Sequence, residues 1–179
     1  GKPVVLVVGG SLGTRSLNEM MKAWILALGS AEVPVQVIWQ TGKYYEREMR
    51  DFLAAHPTPG IWQGAFIERM DLAYAAADLV ISRSGAGTVS ELCLVAKPVL
   101  FVPSPNVAED HQTMNARALE QQGAAVLVPD AVCRTEAMPR ALELLADKEA
   151  LRRMSENLER LAKPRAAEDI VDEIIELLK

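Results

Sequence analysis

Three loops carry glycines and polar residues in patterns that suit the binding of a phosphorylated ligand. The first, Gly9–Arg15 (GGSLGTR), directly follows an apolar run and precedes a helical one. Glycines let a backbone approach a ligand closely, and a helix start offers free N–H groups and a partial positive charge to phosphate. Ser11 could add a hydroxyl donor or cap the helix. The loop matches neither G-x-G-x-x-G nor a P-loop, so a plain strand-to-helix turn stays an equal alternative.

The second loop, Arg83–Glu91 (RSGAGTVSE), repeats the arrangement of buried run, glycines and helix start. Glu91 lies one helical turn beyond Gly87, where a carboxylate can accept hydrogen bonds from the vicinal hydroxyls of a ribose. The alternative is that Glu91 forms a capping box with Thr88 or a neighbour. Two glycine-rich helix starts in one sheet favour a nucleotide diphosphate as the ligand.

The third loop, Glu109–Asn115 (EDHQTMN), places a cluster of polar side chains at the entrance of a helix. Such side chains can reach sugar hydroxyls, and the acids can serve as charges at a helix start. A lone histidine such as His111 is more often structural than catalytic. Since no Ser/His/Asp set and no metal-ligand spacing can be assembled, we predict no catalytic residue and no metal ligand in this chain.

Six short apolar runs alternate with helical segments and must position these loops. The helical periodicity covers residues 17–28, 43–55, 70–77, 88–96 and 110–122. The predicted strands are Val4–Val8, Val35–Trp39, Ile61–Gln63, Leu79–Ser82, Pro98–Val102 and Ala125–Val128. This alternation predicts an α/β fold with a Rossmann-like parallel sheet and helices on both faces. Ligands of such sheets bind beyond the carboxyl ends of the strands, where the three loops lie.

The chain reads as a single domain, 1–179, with a sheet core over about 1–133 and a helical C-terminal tail over about 134–179. In the tail, Ile170, Ile174, Leu177 and Leu178 form one apolar stripe. Acidic residues on the other side of that helix disfavour a membrane-surface role. We therefore expect the stripe to pack on the domain or on a further half of the protein.

Composition narrows the class of protein. The chain has 179 residues, 19 Lys and Arg against 24 Asp and Glu, and a formal net charge of -5, which argues against a nucleic-acid binder. Its two cysteines, Cys93 and Cys133, are too few for a disulfide scaffold. No apolar run approaches the roughly 20 residues that span a bilayer, and there is no signal peptide. These features predict a cytoplasmic location.

In order and spacing, the three loops resemble the donor-binding, C-terminal half of the MurG family of bacterial glycosyltransferases. The resemblance runs nearly end to end, and its most specific pieces are RSGAGTVSEL at 83–92 and EDHQTMNA at 109–116. It implies one half of a GT-B fold, in which two Rossmann-like halves face each other across a cleft. It also implies that the nucleotide sugar, UDP-N-acetylglucosamine, binds to this half.

The resemblance assigns roles to individual residues. Ser11 and the N–H groups after Gly10 would contact the diphosphate, as would the helix start at 86–88. The Ile67 backbone would recognise uracil, Glu91 would hold the ribose, and Gln112 would contact the sugar. The residues implied to bind the donor are Gly10, Ser11, Gly13, Phe66, Ile67, Met70, Ser84, Gly85, Ala86, Gly87, Thr88, Val89, Ser90, Glu91, His111 and Gln112.

The implied activity is an inverting transfer of N-acetylglucosamine to lipid-linked N-acetylmuramyl-pentapeptide in peptidoglycan synthesis, without cofactor or metal. The N-terminal acceptor-binding half and its general base are not in this sequence, so we expect donor binding without turnover. The full-length protein is expected at the cytoplasmic face of the bacterial membrane as a peripheral protein. Two alternatives stay open: a stand-alone UDP-sugar-binding subunit that needs a partner chain, and a GT-B-like sugar-nucleotide epimerase.

Overall fold

A computed structural model describes residues 1–178 and contains one six-stranded sheet. All strand pairs are parallel, and the strand order is β3-β2-β1-β4-β5-β6. The strands are β1 (Val4–Val8), β2 (Gln36–Gln40), β3 (Ile61–Gly64), β4 (Leu79–Ser82), β5 (Val99–Phe101) and β6 (Val126–Leu127). The predicted Rossmann-like parallel sheet is confirmed.

Helices connect the strands and continue beyond the sheet. Those that follow β1 to β5 are α1 (Arg15–Leu28), α2 (Glu46–Ala55), α3 (Met70–Ala76), α4 (Ala86–Val95) and α5 (His111–Gln121), the last preceded by the 3-10 helix Ala108–Asp110. The C-terminal helices are α6 (Cys133–Ala146), α7 (Lys148–Leu161) and α8 (Ala166–Leu177).

The centre of the sheet is fully buried, as its continuous apolar sequence predicts. Val5, Leu6 and Val7 of β1 are 0% exposed, and Trp39 of β2 is also 0% exposed. The indole N–H of Trp39 donates to Asn18 Oδ1 of α1 at 2.9 Å, so its buried polar atom is paired. The predicted core position of Trp39 is confirmed.

The chain changes direction within the sheet between β1 and β4. From β1 it proceeds to β2 and β3 on one side, and from β4 it proceeds to β5 and β6 on the other. Right-handed crossovers therefore place α1 and α4 on opposite faces. In agreement, α1 packs on α6, whereas α4 packs on α5 and α7. A crevice opens between the loops that leave β1 and β4, the position where doubly wound sheets bind ligands.

Several predicted boundaries differ from the structure by one to three residues. The helix α4 begins at Ala86 instead of residue 88, and α2 begins at Glu46 instead of residue 43. The Tyr45 N–H donates to the Gly42 carbonyl at 3.1 Å, and this turn delays the start of α2. The strand β2 covers Gln36–Gln40, one residue beyond the predicted Val35–Trp39.

The C-terminal segment is helical, as predicted, and its first two helices pack on helices of the sheet domain. The first of them, α6, packs against α1 and starts at Cys133, and α7 packs against α4. By contrast, α8 has no buried residue, and its Ile170 and Ile174 are 60% and 52% exposed. The expectation that its apolar stripe packs on the domain is therefore wrong. None of the helices within residues 1–178 is long and apolar enough to cross a membrane.

Candidate functional site

A cleft of about 670 Å³ lies at the carboxyl ends of β1 and β4. Both glycine-rich loops contribute to it, together with the ends of β2 and β4 and one face of α3. The residues that line it are Val8, Gly9, Gly10, Ser11, Gly13, Thr14, Gln40, Phe66, Met70, Tyr74, Ser82, Arg83, Gly85, Thr88, Glu91, Ser104 and Gln112.

The β1–α1 loop is shaped by glycines that the fold requires. Gly10 and Gly13 have φ angles of 82° and 88°, in the left-handed region that disfavours side chains. Gly13 also packs directly against Gly42 of the β2–α2 loop, and a Cβ on either glycine would collide with the backbone of the opposite loop. This contact fixes the first wall of the cleft.

The start of α1 is left open toward the cleft. Its N-cap residue, Thr14, makes no capping hydrogen bond, because its hydroxyl donates to the Gly9 carbonyl at 2.8 Å. Ser11 lies three residues before that N-cap position, so the prediction that it could cap the helix is wrong. The first N–H groups of α1 therefore have no side-chain acceptor at the cap and can bind an anion.

The start of α4 forms the opposite wall. Gly85 occupies its N-cap position with φ at -63°, and no side chain caps this helix either. A Cβ on Gly85 or on Gly87 would meet no atom within 4 Å. Neither glycine is thus required by packing or by backbone conformation. Gly85 lines the cleft, whereas Ala86 and Gly87 are exposed at the helix start just outside its lining.

Glu91 lies in the second turn of α4 and points its carboxylate into the cleft. Because the helix begins at Ala86, Glu91 is not at the third helical position, and the capping-box alternative is wrong. Its Oε2 accepts a hydrogen bond from the Tyr74 hydroxyl at 3.2 Å. Burial, followed by the charge and hydrogen bond of Glu91, raises the pKa of Tyr74 to about 12.

The β3–α3 loop forms the rim next to the first wall. Phe66 is 58% exposed and lines the cleft together with Met70. Ile67 is buried in the core, and its N–H donates to Gln40 Oε1 at 3.0 Å. Gln40 also donates through Nε2 to the Gly10 carbonyl at 3.1 Å, so it joins the rim to the glycine loop. The Ile67 N–H is therefore already paired within the protein.

Arg83 forms the floor between the two loops. Its guanidinium donates to Asp130 Oδ1 at 2.6 Å, to Ser16 Oγ at 2.8 Å and to the carbonyls of Val102 and Pro103 at 2.7 and 2.9 Å. The ion pair with Asp130 is mostly buried. Arg83 thus clamps the starts of α1 and α6 to the loop after β5, and Asp130 offsets its charge.

The third loop contributes Gln112 but not His111. Gln112 lines the cleft and accepts the Ser104 N–H at Oε1 over 2.9 Å, which leaves its amide N–H groups for a ligand. His111 is exposed outside the lining, with Nδ1 2.9 Å from the Ala108 carbonyl oxygen. Ser84 is fully buried and donates to the Gln112 carbonyl at 2.8 Å, so it joins two loops instead of facing the cleft.

Val89 and Ser90 lie on another face of α4. They line a groove that α4 forms with α5 and the segment between α7 and α8, together with Cys93 and Leu94. The structure thus brings nine of the sixteen predicted residues to the cleft. These nine are Gly10, Ser11, Gly13, Phe66, Met70, Gly85, Thr88, Glu91 and Gln112. Ile67, Ser84, Ala86, Gly87, Val89, Ser90 and His111 lie outside its lining.

Sequence reasoning missed three cleft side chains that organise the others: Gln40, Tyr74 and Arg83. Tyr74 follows Met70 by one helical turn, and this spacing places both on the face of α3 toward the cleft. Gln40 and Arg83 end or follow central strands, a position that marks them as site residues in a parallel sheet. Among residues 1–178, no group of three or more His, Cys, Asp and Glu side chains could hold a metal ion.

Comparison with known proteins agrees with this geometry. Residues 4–171 match the model of the glycosyltransferase family 28 C-terminal domain. The UDP-N-acetylglucosamine--N-acetylmuramyl-(pentapeptide) pyrophosphoryl-undecaprenol N-acetylglucosamine transferases of Parabacteroides distasonis and Porphyromonas gingivalis are 49% and 51% identical to 99% of this chain. The crystal structure of Acinetobacter baumannii MurG superposes with a TM-score of 0.84 at 34% identity over 98% of this chain.

The chain spans about half the length of these relatives, namely 48% and 46% of the two transferases and 50% of the crystallised MurG chain. Matched in sequence over most of its length and in fold over nearly all of it, the chain belongs to the glycosyltransferase family 28 C-terminal domains.

Proposed function

We propose that this chain binds UDP-N-acetylglucosamine as the donor half of an inverting glycosyltransferase. The whole protein would transfer N-acetylglucosamine to lipid-linked N-acetylmuramyl-pentapeptide in peptidoglycan synthesis, at the cytoplasmic face of the membrane. The donor and the acceptor are those named for the related transferases of Parabacteroides distasonis and Porphyromonas gingivalis. An acceptor-binding half, which the relatives' greater length can accommodate, would complete the enzyme.

One observation carries the proposal: two helix starts without side-chain caps, those of α1 and α4, face the same cleft. Each start concentrates unpaired N–H groups and about half a positive charge. Arg83, the one basic side chain of the described lining, is already paired with Asp130 at 2.6 Å, so the helix starts are left to hold an anion. A diphosphate carries the negative charge and the acceptor oxygens that fit between them.

Other groups of the cleft would bind the ribose, the base and the sugar of the donor. Glu91 lies where it can accept hydrogen bonds from both ribose hydroxyls once the phosphates occupy the start of α4. Phe66 and Met70 offer apolar surface to a base at the rim, and the Ile67 N–H beside them is taken by Gln40. The amide N–H groups of Gln112 suit sugar hydroxyls at the other end of the cleft.

In the transfer, an acceptor hydroxyl attacks the anomeric carbon, its proton passes to a general base of the acceptor half, and UDP leaves with the bonding electron pair. This chain would contribute by aligning the donor and by stabilising the negative charge that grows on the departing diphosphate. The preorganised N–H groups of α1 and α4 supply that stabilisation without a metal or a cofactor. We therefore assign no catalytic residue to this half and expect no turnover without the acceptor half.

A sugar-nucleotide epimerase fits the cleft less well. Such an enzyme places several His, Asp and Glu side chains around the sugar. Along the lining formed by the described residues, Glu91 is the one carboxylate, and His111 lies outside. A stand-alone subunit that acts with a separate chain would use the same donor cleft, and the acceptor half would then come from that partner.

Calorimetric titration of the chain with UDP-N-acetylglucosamine, UDP-glucose and NAD tests the proposal. We expect binding of the UDP sugars and none of NAD. Glu91→Ala should weaken UDP binding by about 1–3 kcal/mol, the range for a lost hydrogen bond to a charged group. The matched control is Glu159→Ala on α7, which removes an exposed carboxylate outside the cleft. Binding of NAD without UDP sugars would overturn the proposal.

A further inference from the structure

Tyr74 and Glu91 form a pair that joins the two helices on the cleft wall. Tyr74 belongs to α3 and Glu91 to α4, and both residues line the cleft. The hydrogen bond from the tyrosine hydroxyl to Glu91 Oε2 measures 3.2 Å. Among the described residues, it is the one side-chain hydrogen bond between α3 and Glu91.

The tyrosine is the fixed member of the pair. It is 8% exposed and packs in the hydrophobic core, so its ring cannot swing away without opening a cavity. A buried tyrosine hydroxyl also needs a hydrogen-bond partner. With a pKa near 12, it keeps its proton and acts as a donor throughout the neutral range.

The glutamate is the adaptable member. Its residue is exposed, and within residues 1–178 it makes no salt bridge, so Tyr74 is its side-chain partner. A free glutamate side chain loses up to about 2 kcal/mol of rotamer entropy when a ligand orders it. A carboxylate that is already oriented binds more tightly, because this cost has been met before the ligand arrives.

We propose that Tyr74 is a positioning residue: it orients the Glu91 carboxylate toward two adjacent hydroxyls and thereby makes the site select ribonucleotides over 2′-deoxyribonucleotides. The inference rests on the proposed function and names a specificity of the same site. Tyr74 acts through Glu91 and not through its own contact with the ligand.

The selectivity follows from the number of acceptor positions. Each carboxylate oxygen has two lone pairs, so Oε2 can accept from Tyr74 and from one ribose hydroxyl, while Oε1 accepts from the other. When the ligand lacks the 2′-hydroxyl, one oriented oxygen is desolvated without a donor. A site built to hydrogen-bond a hydroxyl rejects an analogue without it for this reason. If Tyr74 no longer holds the carboxylate, Glu91 can turn toward water and the penalty shrinks.

Titrations with UDP and 2′-deoxy-UDP test the inference in the wild type and in Tyr74→Phe. This substitution removes the hydroxyl and keeps the buried ring. UDP affinity should fall about threefold to tenfold, as for one lost hydrogen bond, and 2′-deoxy-UDP affinity less than about twofold. The preference for UDP, measured as UDP affinity divided by 2′-deoxy-UDP affinity, should therefore decrease. Tyr44→Phe is the matched control, since Tyr44 is 71% exposed and does not line the cleft.

A double-mutant cycle separates positioning from direct contact. In a Glu91→Ala background, Tyr74→Phe should change UDP affinity less than about 1.5-fold, because no carboxylate is left to orient. A loss of the same size in both backgrounds would show that Tyr74 touches the nucleotide itself and would overturn the inference. Thermal melts of all variants check that the fold is kept.

The outcomes distinguish this inference from the function on which it rests. If the wild type binds no UDP, the proposed function fails and the inference fails with it. If the wild type binds UDP and Tyr74→Phe leaves the ratio of UDP to 2′-deoxy-UDP affinity unchanged, only the inference fails.

Discussion

The two glycine-rich loops beside the cleft look alike in sequence and differ in what requires their glycines. In the β1–α1 loop, Gly10 and Gly13 have positive φ angles, and Gly13 touches Gly42 of the next loop. In the β4–α4 loop, Gly85 has an ordinary φ of -63°, and a Cβ on Gly85 or Gly87 would meet nothing. The fold needs the first set, and it would accept alanine in the second.

This difference separates two reasons for a glycine near a ligand. Gly13 builds the wall, because only a residue without a side chain lets two loops pack back to back. Gly85 keeps the wall bare, so that a ligand can reach the N–H groups at the start of α4. A glycine that neither conformation nor packing explains, at the edge of a cleft, is thus a stronger indication of ligand contact than one that the fold demands.

The largest effect is expected for Gly13→Ala. A left-handed φ costs an alanine about 1–2 kcal/mol, and the collision of its Cβ with the Thr41 carbonyl adds about 1–3 kcal/mol. The free energy of unfolding, measured with urea, should fall by about 2–5 kcal/mol. Gly10→Ala is the control: its φ is similar, but its Cβ meets nothing within 4 Å, so only the conformational part is lost. Equal losses of unfolding free energy in both variants would show that the contact between Gly13 and the β2–α2 loop does not require a glycine.

Gly85→Ala should weaken UDP binding and leave stability unchanged, the reverse of a variant that damages the fold. We expect the free energy of unfolding to stay within about 0.5 kcal/mol of the wild type, since the new methyl group meets no protein atom. UDP affinity, measured by calorimetry, should fall about tenfold, or about 1.4 kcal/mol, because the methyl group occupies space beside the phosphates. If UDP affinity is unchanged, Gly85 does not face the ligand, and the claim that this glycine is kept for ligand access is wrong.

Gly87→Ala should have the smallest effect, and it should raise the free energy of unfolding, whereas Gly13→Ala lowers it. Gly87 lies in the first turn of α4, where alanine is favoured by about 0.5–1 kcal/mol over glycine. Urea unfolding should show a gain of that size, with UDP affinity unchanged, because the N–H group of residue 87 is retained. A loss of UDP affinity equal to that of Gly85→Ala would place Gly87 in the wall as well.

Most of the fold could be predicted from the sequence because the strands at the centre of the sheet are almost entirely apolar. The run Val4–Val8 and the strand Leu79–Ser82 coincide with β1 and β4, which lie at the buried centre of the sheet. Boundaries were less accurate where a turn hydrogen bond decides them, as at the Tyr45–Gly42 turn before α2. This turn contains Gly42, which packs on Gly13 of the β1–α1 loop, and the sequence around residue 42 does not reveal that contact between loops.

The part of the site that lies within one continuous segment could also be predicted from the sequence. Gly85 and Glu91 stand out because residue type and spacing reveal them, and both line the cleft. Val89 and Ser90 were included because they belong to the same motif, but the helix turns them toward the opposite groove. Tyr74 was missed because it comes from a different helix, and its contact with Glu91 exists only once α3 and α4 are packed.

The strand order also determines when this domain can fold during synthesis. Val4 of β1 pairs with Gln36, which is 32 residues later, whereas Val5 pairs with Leu79, which is 74 residues later. One edge of β1 therefore stays unpaired until β4 has left the ribosome, and closing so long a loop precedes the gain from pairing. The ligand crevice opens along this same seam, so the pairing that joins the two halves of the sheet also brings the walls of the cleft together.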